Sequence, residues 1–253
     1  YYVFNESEVK EFSMDIFNSN LYPEQSKFKY PKAGEENSIV EIFIYDLNKN
    51  KHIQAQINKS KDDYIPRIKW SKDSKLCVQK LNRYQNHLQL IFINPESGEG
   101  NLVYEEFDDY YIDIHDNLIF TDEGFLWSSE KDGYNHLYFF DYKKNKMKKI
   151  TKGNWEVTNF YGLDKENNVI YYQSNENSPL TKSIYSISLK GNNKKLLSKS
   201  LGLNNADFSK TYKYFINTHS SANSPNYITL QNNEGEVIRV LKDSKKLNDT
   251  LFE

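Results

Sequence analysis

The chain has 253 residues, a length at which an all-β fold often forms one domain with a sizeable core. Its net charge of -2, with both signs interspersed, gives no basic field that would attract nucleic acid or an anionic membrane. Aromatic residues make up 15% of the chain, with 20 Tyr and 15 Phe, which argues against disorder and favours β-structure.

The first residues and the single cysteine exclude several further classes. Tyr1-Tyr2-Val3-Phe4 is typical of the end of a strand, so we expect that the natural protein begins earlier. Cys77 excludes an internal disulfide framework and a cysteine-rich zinc site, and its apolar surroundings predict a small core residue rather than a nucleophile. No run approaches the ~20 apolar residues that a membrane-spanning helix needs.

Five predicted hairpins follow one another along the chain, each with an apolar strand, a polar turn and a second short apolar strand. The first strands cover 40–45, 88–93, 136–140, 183–187 and 227–230. The turns begin at 46, 94, 141, 188 and 232, a spacing of roughly 47 residues that lies in the range of propeller blades. Asn, Asp, Gly and Lys in these turns tolerate the positive φ of tight hairpins.

A second repeated element lies between the hairpins. Segments that end a strand and turn cover 68–73, 161–166 and 206–210, and further strand patterns follow at 76–79, 169–172 and 212–216. Four strands in roughly 47 residues form the meander of a propeller blade. A two-sheet sandwich is the structural alternative, because strand spacing alone does not exclude it.

The prediction is therefore an all-β fold, a β-propeller fragment of about five four-stranded blades in one partial domain. The approximate blades cover 1–62, 63–108, 109–153, 154–200 and 201–253. Segment 7–32 does not fit a blade, and we expect it to form an excursion between strands.

Residues with catalytic or metal-binding chemistry do not form a recognisable site. An α/β-hydrolase needs Gly-x-Ser-x-Gly, and the nearest match, 96–100, is predicted to be a hairpin tip. The five histidines lack helical ligand spacing, and each is interpreted as a structural or surface residue: His52, His87, His115, His136 and His219. Residues 46–50 imitate the opening of a calcium loop, but Lys51 and Ile57 stand where Gly and Glu are required, so a turn is predicted. We therefore assign no catalytic, binding or metal residue and no cofactor.

Three segments carry a more specific signal than the repeat. They are Tyr-Pro-Lys-Ala-Gly-Glu-Glu-Asn-Ser at 30–38, Ser-Glu-Lys-Asp-Gly-Tyr-Asn-His-Leu-Tyr at 129–138 and Ile-Thr-Lys-Gly-Asn-Trp-Glu-Val at 150–157. Their order and spacing resemble the N-terminal propeller of the dipeptidyl peptidase IV family, which are prolyl oligopeptidase-type serine peptidases. The likeness extends over nearly the whole chain.

The resemblance implies an eight-bladed propeller that caps an α/β-hydrolase domain. In that family the enzyme removes N-terminal X-Pro or X-Ala dipeptides with a Ser-Asp-His triad that lies C-terminal to this region. A glutamate pair holds the free amine of the substrate, and it precedes the segment that 30–38 resembles, so it too is expected outside this chain. The present region is then non-catalytic and gates and shapes the substrate chamber.

The implied partners are a peptide substrate, the protein's own C-terminal hydrolase domain and, as a further expectation, a second copy in a homodimer, with no nucleic acid. The family also implies an extracytoplasmic location, in the periplasm or at the cell envelope. Whether the parent protein is an active peptidase stays open at this point. The alternatives are an interaction module of a catalytically inactive family member and an unrelated ligand-binding propeller.

Two further segments resemble functional positions of the family without matching them. Tyr104-Glu105-Glu106-Phe107 looks like the amine-binding motif, but it falls in the wrong blade, and we predict an edge strand or a turn. Residues 110–113 correspond to part of an extended substrate pocket, where mammalian members have a Phe-Arg pair. Neither residue of that pair is present, so no role is transferred there.

Overall fold

Apolar side chains recur in short runs and produce strands along almost the whole chain. The computed structural model of the protein describes residues 1–58 and 60–251. This part of the chain contains 21 strands and one short helix, α1 (Lys245–Leu251). The predicted first and last blades also include Lys59, Phe252 and Glu253, which lie outside the described residues. Among the residues described, no helix has the length and apolar character to cross a membrane. Contacts divide the chain into two compact units, Tyr1–Ile114 and His115–Glu253.

The first unit contains two larger sheets and a separate hairpin. A three-stranded antiparallel sheet has the order β1-β4-β5, and a four-stranded meander has the order β6-β7-β8-β9. Their strands are β1 (Tyr2–Asn5), β4 (Ile39–Asp46), β5 (Lys51–Gln54), β6 (Tyr64–Trp70), β7 (Leu76–Leu81), β8 (His87–Ile93) and β9 (Gly100–Phe107). The hairpin is formed by β2 (Glu11–Ile16) and β3 (Glu24–Lys29), and it leaves the first sheet between two strands that pair directly. It is the excursion predicted over 7–32.

Aliphatic side chains hold the two sheets of this unit together. Ile42 and Ile44 of β4 join Val78 of β7 and Ile91 and Ile93 of β8 in one buried cluster. The two sheets also approach through their backbones, because the N–H of residue 56 donates to the carbonyl of residue 98 at 2.7 Å. Burial of these branched side chains favours the packed pair by roughly 1.5–3 kcal/mol for each fully buried residue.

The second unit contains three four-stranded antiparallel meanders in chain order. The first has β10 (Ile119–Phe120), β11 (Gly124–Ser129), β12 (His136–Asp141) and β13 (Lys146–Lys149). The second has β14 (Val157–Asp164), β15 (Val169–Ser174), β16 (Ser183–Ser188) and β17 (Lys195–Leu196). The third has β18 (Leu203–Phe208), β19 (Tyr214–Ser221), β20 (Ser224–Asn232) and β21 (Val237–Lys242).

The middle sheet of the second unit is covered on both faces, which explains its continuous apolar runs. Adjacent residues of a strand point to opposite faces. Accordingly, Tyr172 packs with Phe139 of the preceding sheet, whereas Tyr171 packs with Phe215 of the following one. The predicted four-stranded meander, and with it the all-β fold class, is confirmed.

Four of the five turns that set the period of the repeat share one local structure; in the fifth, the Ser188 hydroxyl accepts the N–H of Asn192 at 3.3 Å. The side-chain Oδ1 of the first turn residue accepts backbone N–H groups two and three residues ahead at Asp46, Asn94 and Asp141. At Asn232 the same atom accepts the N–H groups of residues 234 and 236. A short side chain that bonds its own backbone in this way favours a turn over continued strand.

Candidate functional site

The serine nearest to a hydrolase motif lies in the turn between β8 and β9, as predicted. Ser97 is exposed, and its backbone N–H donates to Asn94 Oδ1 at 3.2 Å. Its hydroxyl lies 3.5 Å from the carboxylate of Glu99 in the same turn. A nucleophilic serine needs a base within hydrogen-bond reach, usually an imidazole, so this arrangement is that of a turn.

The five histidines are distributed over separate places in the fold, each with its own partner. His52 bonds the Tyr1 hydroxyl, His87 bonds Glu105, His115 bonds the Ser128 carbonyl, His136 bonds Thr151, and His219 bonds the Leu201 carbonyl. Within residues 1–58 and 60–251, no group of three His, Cys, Asp or Glu side chains is arranged to hold a metal ion.

His136 joins two of the three segments that carry the sequence resemblance. Its Nδ1 lies 3.0 Å from the Thr151 hydroxyl, and its Nε2 lies 3.0 Å from the Gly153 carbonyl. The Trp155 ring packs edge-on against the imidazole at 4.9 Å. A neutral imidazole that donates from Nε2 and accepts at Nδ1 satisfies both contacts. The buried His136 side chain thus bonds the backbone at Gly153, as fits the interpretation of a structural residue.

The close approach of Trp155 also requires a glycine at position 153. Gly153 has a φ of +143°, which side chains rarely adopt, and a Cβ there would lie 2.1 Å from the Trp155 indole nitrogen. These two residues of the third segment therefore serve packing.

Cys77 and the calcium-like loop are structural, as predicted. Cys77 is fully buried on β7, and burial raises the pKa of its thiol well above the ordinary range. A thiol in this state is a poor nucleophile. In the turn that follows β4, Asp46 accepts the N–H groups of Asn48 and Lys49. The N–H of Lys49, together with that of Asn48, holds the pKa of this carboxyl below its ordinary value.

Glu105 and Glu106 lie on β9, which is an edge strand of its sheet, as predicted. Glu105 contacts His87 at 3.1 Å, whereas Glu106 is 7% exposed and accepts the Tyr104 hydroxyl at 2.9 Å. Consecutive side chains of a strand point to opposite faces, so the two carboxylates do not converge on one amine.

A cavity of about 640 Å³ in the first unit brings the Tyr-Pro-Lys-Ala-Gly segment into contact with two other loops. It is lined by Pro31, Lys32, Ala33, Gly34, Asn37, Ser60, Asp62, Asp63, Tyr64, Arg83 and Tyr84. We call this space the Arg83 cavity. The residues from Pro31 to Asn37 precede β4, and those from Ser60 to Asp63 precede β6, which begins at Tyr64. Arg83 and Tyr84 belong to the turn between β7 and β8.

Charged side chains fix the walls of the Arg83 cavity. The Arg83 guanidinium donates to Asp62 at 3.1 Å and to the Glu35 carbonyl at 2.8 Å. Lys80 and Asp63, which are 14% and 12% exposed, lie 3.5 Å apart. Desolvated pairs of this kind hold their geometry better than exposed ones. One arginine therefore ties together loops that are far apart in sequence.

The signature loop has its own anchor at Glu35. This carboxylate accepts the Lys10 ammonium and, at 3.1 Å, the Lys32 backbone N–H. The hydrogen bond from Lys10, followed by that from Lys32, lowers the pKa of Glu35. Because Glu35 is only half-buried and the Lys10 side chain is exposed, these contacts orient the loop more than they stabilise the fold.

Exposed tyrosines surround the same end of the β6–β9 sheet. Tyr84 is 84% exposed and Tyr110 is 89% exposed. The loop that carries Tyr110 is bound to the turn that carries Tyr84, since the N–H of Ile112 donates to the Gln85 carbonyl at 2.8 Å. The Tyr111 hydroxyl also donates to the Gln85 side chain at 3.3 Å. We call the two loops, 82–86 and 108–112, the rim.

The Arg83 cavity and the rim offer polar and aromatic surfaces that a ligand can contact. Their described residues do not form the arrangement of nucleophile and base that covalent chemistry requires. The carboxylates at the cavity are paired with Arg83 and Lys80, and the exposed phenol rings offer flat apolar surfaces with a polar tip. Rings of this kind offer contact area to a ligand with an apolar surface.

Sequence reasoning did not identify the residues that build this site. Arg83 contacts residues 21 and 48 positions earlier, and no local pattern signals such pairs. Tyr84 lies in a polar turn between two apolar strands. An aromatic residue in such a turn is the sequence signal that could have indicated a binding position.

Comparison with known proteins places this geometry in context. Residues 1–226 match the family described as dipeptidyl peptidase IV N-terminal region. A protein of Botryotinia fuckeliana named "Probable dipeptidyl-aminopeptidase B" is 26% identical, and the match covers 97% of this chain and 30% of the relative. The protein of the same name from Tuber melanosporum is 29% identical, with 87% and 28% covered.

Solved structures show the same similarity. The crystal structure of Porphyromonas gingivalis dipeptidyl peptidase 4 has a TM-score of 0.89 and 38% identity, covering 99% of this chain and 36% of that one. A putative dipeptidyl aminopeptidase IV from Bacteroides ovatus has a TM-score of 0.82 at 24% identity, which supports the fold alone. The chain thus spans about a third of the length of the proteins that it matches.

Proposed function

Because the chain belongs to the dipeptidyl peptidase IV N-terminal region family, we propose that it serves as the propeller region of a serine-type dipeptidyl peptidase. In this role it carries no catalytic residue and gates and shapes the chamber in which peptide N-termini with Pro or Ala at the second position are cleaved. Its partners are then the peptide substrate and the protein's own C-terminal hydrolase domain. The proposed location is extracytoplasmic, in the periplasm or at the cell envelope.

The observation that carries the proposal is the combination of family membership with a binding surface at one end of a rigid sheet. The Arg83 cavity and the rim present exposed rings and paired charges on loops, where binding residues are commonly found on a rigid scaffold. In the proposed full-length protein, a covered substrate chamber would admit an unfolded peptide end and exclude a folded protein.

The activity itself is tested with the intact protein. Release of p-nitroaniline from a Gly-Pro substrate is expected from the full-length protein and not from this chain alone. Turnover by the purified chain, unchanged after a second purification, would contradict the non-catalytic role. A full-length protein that folds but does not turn over would favour an inactive interaction module.

The contribution of the rim is tested by Tyr84→Ala and Tyr110→Ala in the full-length enzyme. Loss of an exposed ring should raise KM for peptides of six or more residues several-fold and leave the short chromogenic substrate almost unaffected. Tyr45→Ala is the matched control, because Tyr45 is 41% exposed near the end of β4, next to the turn 46–50. Equal KM values for long peptides in all three variants would remove the rim from the proposal.

A further inference from the structure

Three buried side-chain oxygen atoms in and just after β15 have no hydrogen-bond partner among the described residues. They are the Tyr172 hydroxyl, the Ser174 hydroxyl and Oε2 of Glu176. Tyr172 is 0% exposed and Ser174 is 1% exposed. Buried polar groups in folded proteins are almost always hydrogen-bonded, to protein or to ordered water. Three such atoms within five residues therefore call for a common partner.

The geometry of β15 directs the first two atoms to the same side. Tyr172 and Ser174 are two residues apart on a strand, so both face the sheet β10–β13. Trp155 stacks on Tyr172 at 6.4 Å and closes that side. Glu176 follows two residues later in the loop after β15, and burial together with the Glu176 carboxylate raises the pKa of Tyr172. The Lys194 ammonium, which pairs with Glu176, lies 5.6 Å from the Tyr185 ring, and that ring stacks on Tyr172 at 5.6 Å. The carboxylate therefore lies on the same side of the sheet as the phenol.

Lys194 closes the outer side of this group. Its ammonium pairs with Oε1 of Glu176 and lies 5.7 Å from the Trp155 ring and 5.6 Å from the Tyr185 ring. The unsatisfied atoms thus belong to a small polar region behind the Lys194 side chain.

Charge decides which ligand this region can take. The Glu176 carboxylate is already balanced by the Lys194 ammonium, so a metal or ammonium ion at Oε2 would be repelled by Lys194 and would be costly to bury. A neutral ligand that both donates and accepts hydrogen bonds avoids this penalty. Water has this chemistry, and three hydrogen bonds are typical of an internal water.

We propose that Tyr172, Ser174 and Glu176 form a binding site for one internal water molecule, enclosed by the side chain of Lys194. The water donates to Glu176 Oε2 and to one of the hydroxyl oxygens, and it accepts a hydrogen bond from the other hydroxyl. It links β15 to the loop that leads to β16, at the packed boundary of two sheets.

A crystal structure of the intact protein and solvent magnetic relaxation dispersion test the site. We expect electron density within hydrogen-bond distance of all three oxygens, and one long-lived water fewer in Tyr172→Phe/Ser174→Ala. The matched control is Tyr171→Phe/Ser186→Ala, on the opposite face of the same two strands, which should keep that water. A direct hydrogen bond from Tyr172 to Glu176 with no density between the strands would overturn the proposal. So would rubidium anomalous scattering at the site, which would show a cation instead.

The enclosing role of Lys194 has a separate readout. Lys194→Met keeps a long apolar side chain and removes the ammonium, and we expect at least a tenfold shorter residence time of the water. Lys195→Met is the control, because Lys195 pairs with Glu234 on the other side of the strand. An unchanged residence time in Lys194→Met would show that Lys194 does not enclose the site.

Discussion

At the scale of single residues, His136 shows how a histidine serves packing instead of chemistry. The side chain is fully buried, and burial is the main cause that lowers its pKa, against the opposing effect of the Gly153 carbonyl. A buried neutral imidazole that bridges Thr151 and Gly153 connects two sequence segments that lie in different strands and loops. Such a group makes stability depend on pH.

The first prediction concerns this dependence. Because the folded-state pKa of His136 is lower than that of the unfolded chain, the unfolded state binds the extra proton as the pH falls below about 6.5. His136 therefore contributes stability above that pH, and the contribution is lost on acidification. Urea unfolding at pH 7 and pH 5 should show a larger loss of unfolding free energy in the wild type than in His136→Gln.

The control for this experiment is His52→Gln, an exposed histidine that bonds the Tyr1 hydroxyl. Paired carboxylates titrate mostly below pH 5, so they affect both proteins alike in this window. An equal loss of unfolding free energy in the wild type and in His136→Gln would contradict the assignment of His136.

The second prediction concerns the carboxylates of β9. Glu105→Gln and Glu106→Gln in the full-length enzyme should leave KM for dipeptide substrates within about twofold, because their side chains point to opposite faces of an edge strand. If either held the substrate amine, loss of a charged hydrogen bond would cost on the order of 1.5–3 kcal/mol. A tenfold or larger rise in KM, in a variant whose melting temperature is unchanged, would overturn the assignment.

The local sequence pattern predicted the environment of some residues but not of others. Cys77 lies in a continuous apolar run of a strand that is buried on both faces, so its burial follows from that run. Arg83 lies in a polar turn, and its contacts with Asp62 and Glu35 depend on loops that tertiary folding brings together. Glu176 gives no signal at all in sequence, because its unpaired oxygen results from how two sheets pack.

At the scale of elements, the repeat was predictable because most of its hairpin turns begin with a side chain that bonds the backbone of the turn. Asp46, Asn94 and Asp141 accept the backbone N–H groups two and three residues ahead, so the local sequence favours the turn. The β2–β3 hairpin was foreseen only as an excursion over 7–32. Its strands alternate weakly and are mostly exposed, since they pair with each other outside the larger sheets.

The third prediction concerns the β2–β3 hairpin as the contact for a second copy of the protein. Phe12 and Phe28 pack edge-on at 5.8 Å and hold the hairpin together, while Leu21 and Tyr22 at its tip are 93% and 84% exposed. Apolar side chains at a projecting tip favour contact with a partner. If the full-length protein is a dimer, Leu21→Glu should weaken it at least tenfold in sedimentation equilibrium.

Leu47→Glu is the matched control, because Leu47 is 85% exposed in the turn after β4 and carries the same change of charge. Equal dissociation constants for the two variants would exclude the hairpin tip as the contact. A protein that is monomeric at micromolar concentration would exclude the homodimer itself.

At the scale of the whole molecule, the family match and the repeated meander agree on a propeller, and the chain spans about a third of the length of the proteins that it matches. The order and spacing of the three sequence segments were enough to identify the family. The Arg83 cavity was not foreseen, since it assembles from loops before β4, before β6 and after β7. A binding surface made by such loops depends on how the sheets pack.

The last prediction follows from the outermost sheet of the second unit. One face of β18–β21 packs against the middle sheet through Ala206 and Phe215. The opposite face exposes Leu203, Tyr214 and Ile216 by 49%, 49% and 37%. The edge strand β21 exposes four further aliphatic residues by 45–55%, distributed over both of its faces. Apolar patches above a few hundred Å² usually find a partner. The isolated chain should therefore self-associate at micromolar concentration or bind an apolar dye, as sedimentation velocity and dye fluorescence would show.

A charge on that face supplies the decisive comparison. Ile216→Lys should reduce both association and dye binding, because it interrupts the exposed stripe on β19 without touching the buried face of the sheet. Thr218→Lys is the matched control. Thr218 is the next residue on the same face of β19, and the change adds the same charge without removing an aliphatic side chain. A wild-type chain that stays monomeric and binds little dye would mean that these side chains are covered in solution, and the exposed-face argument would then be wrong.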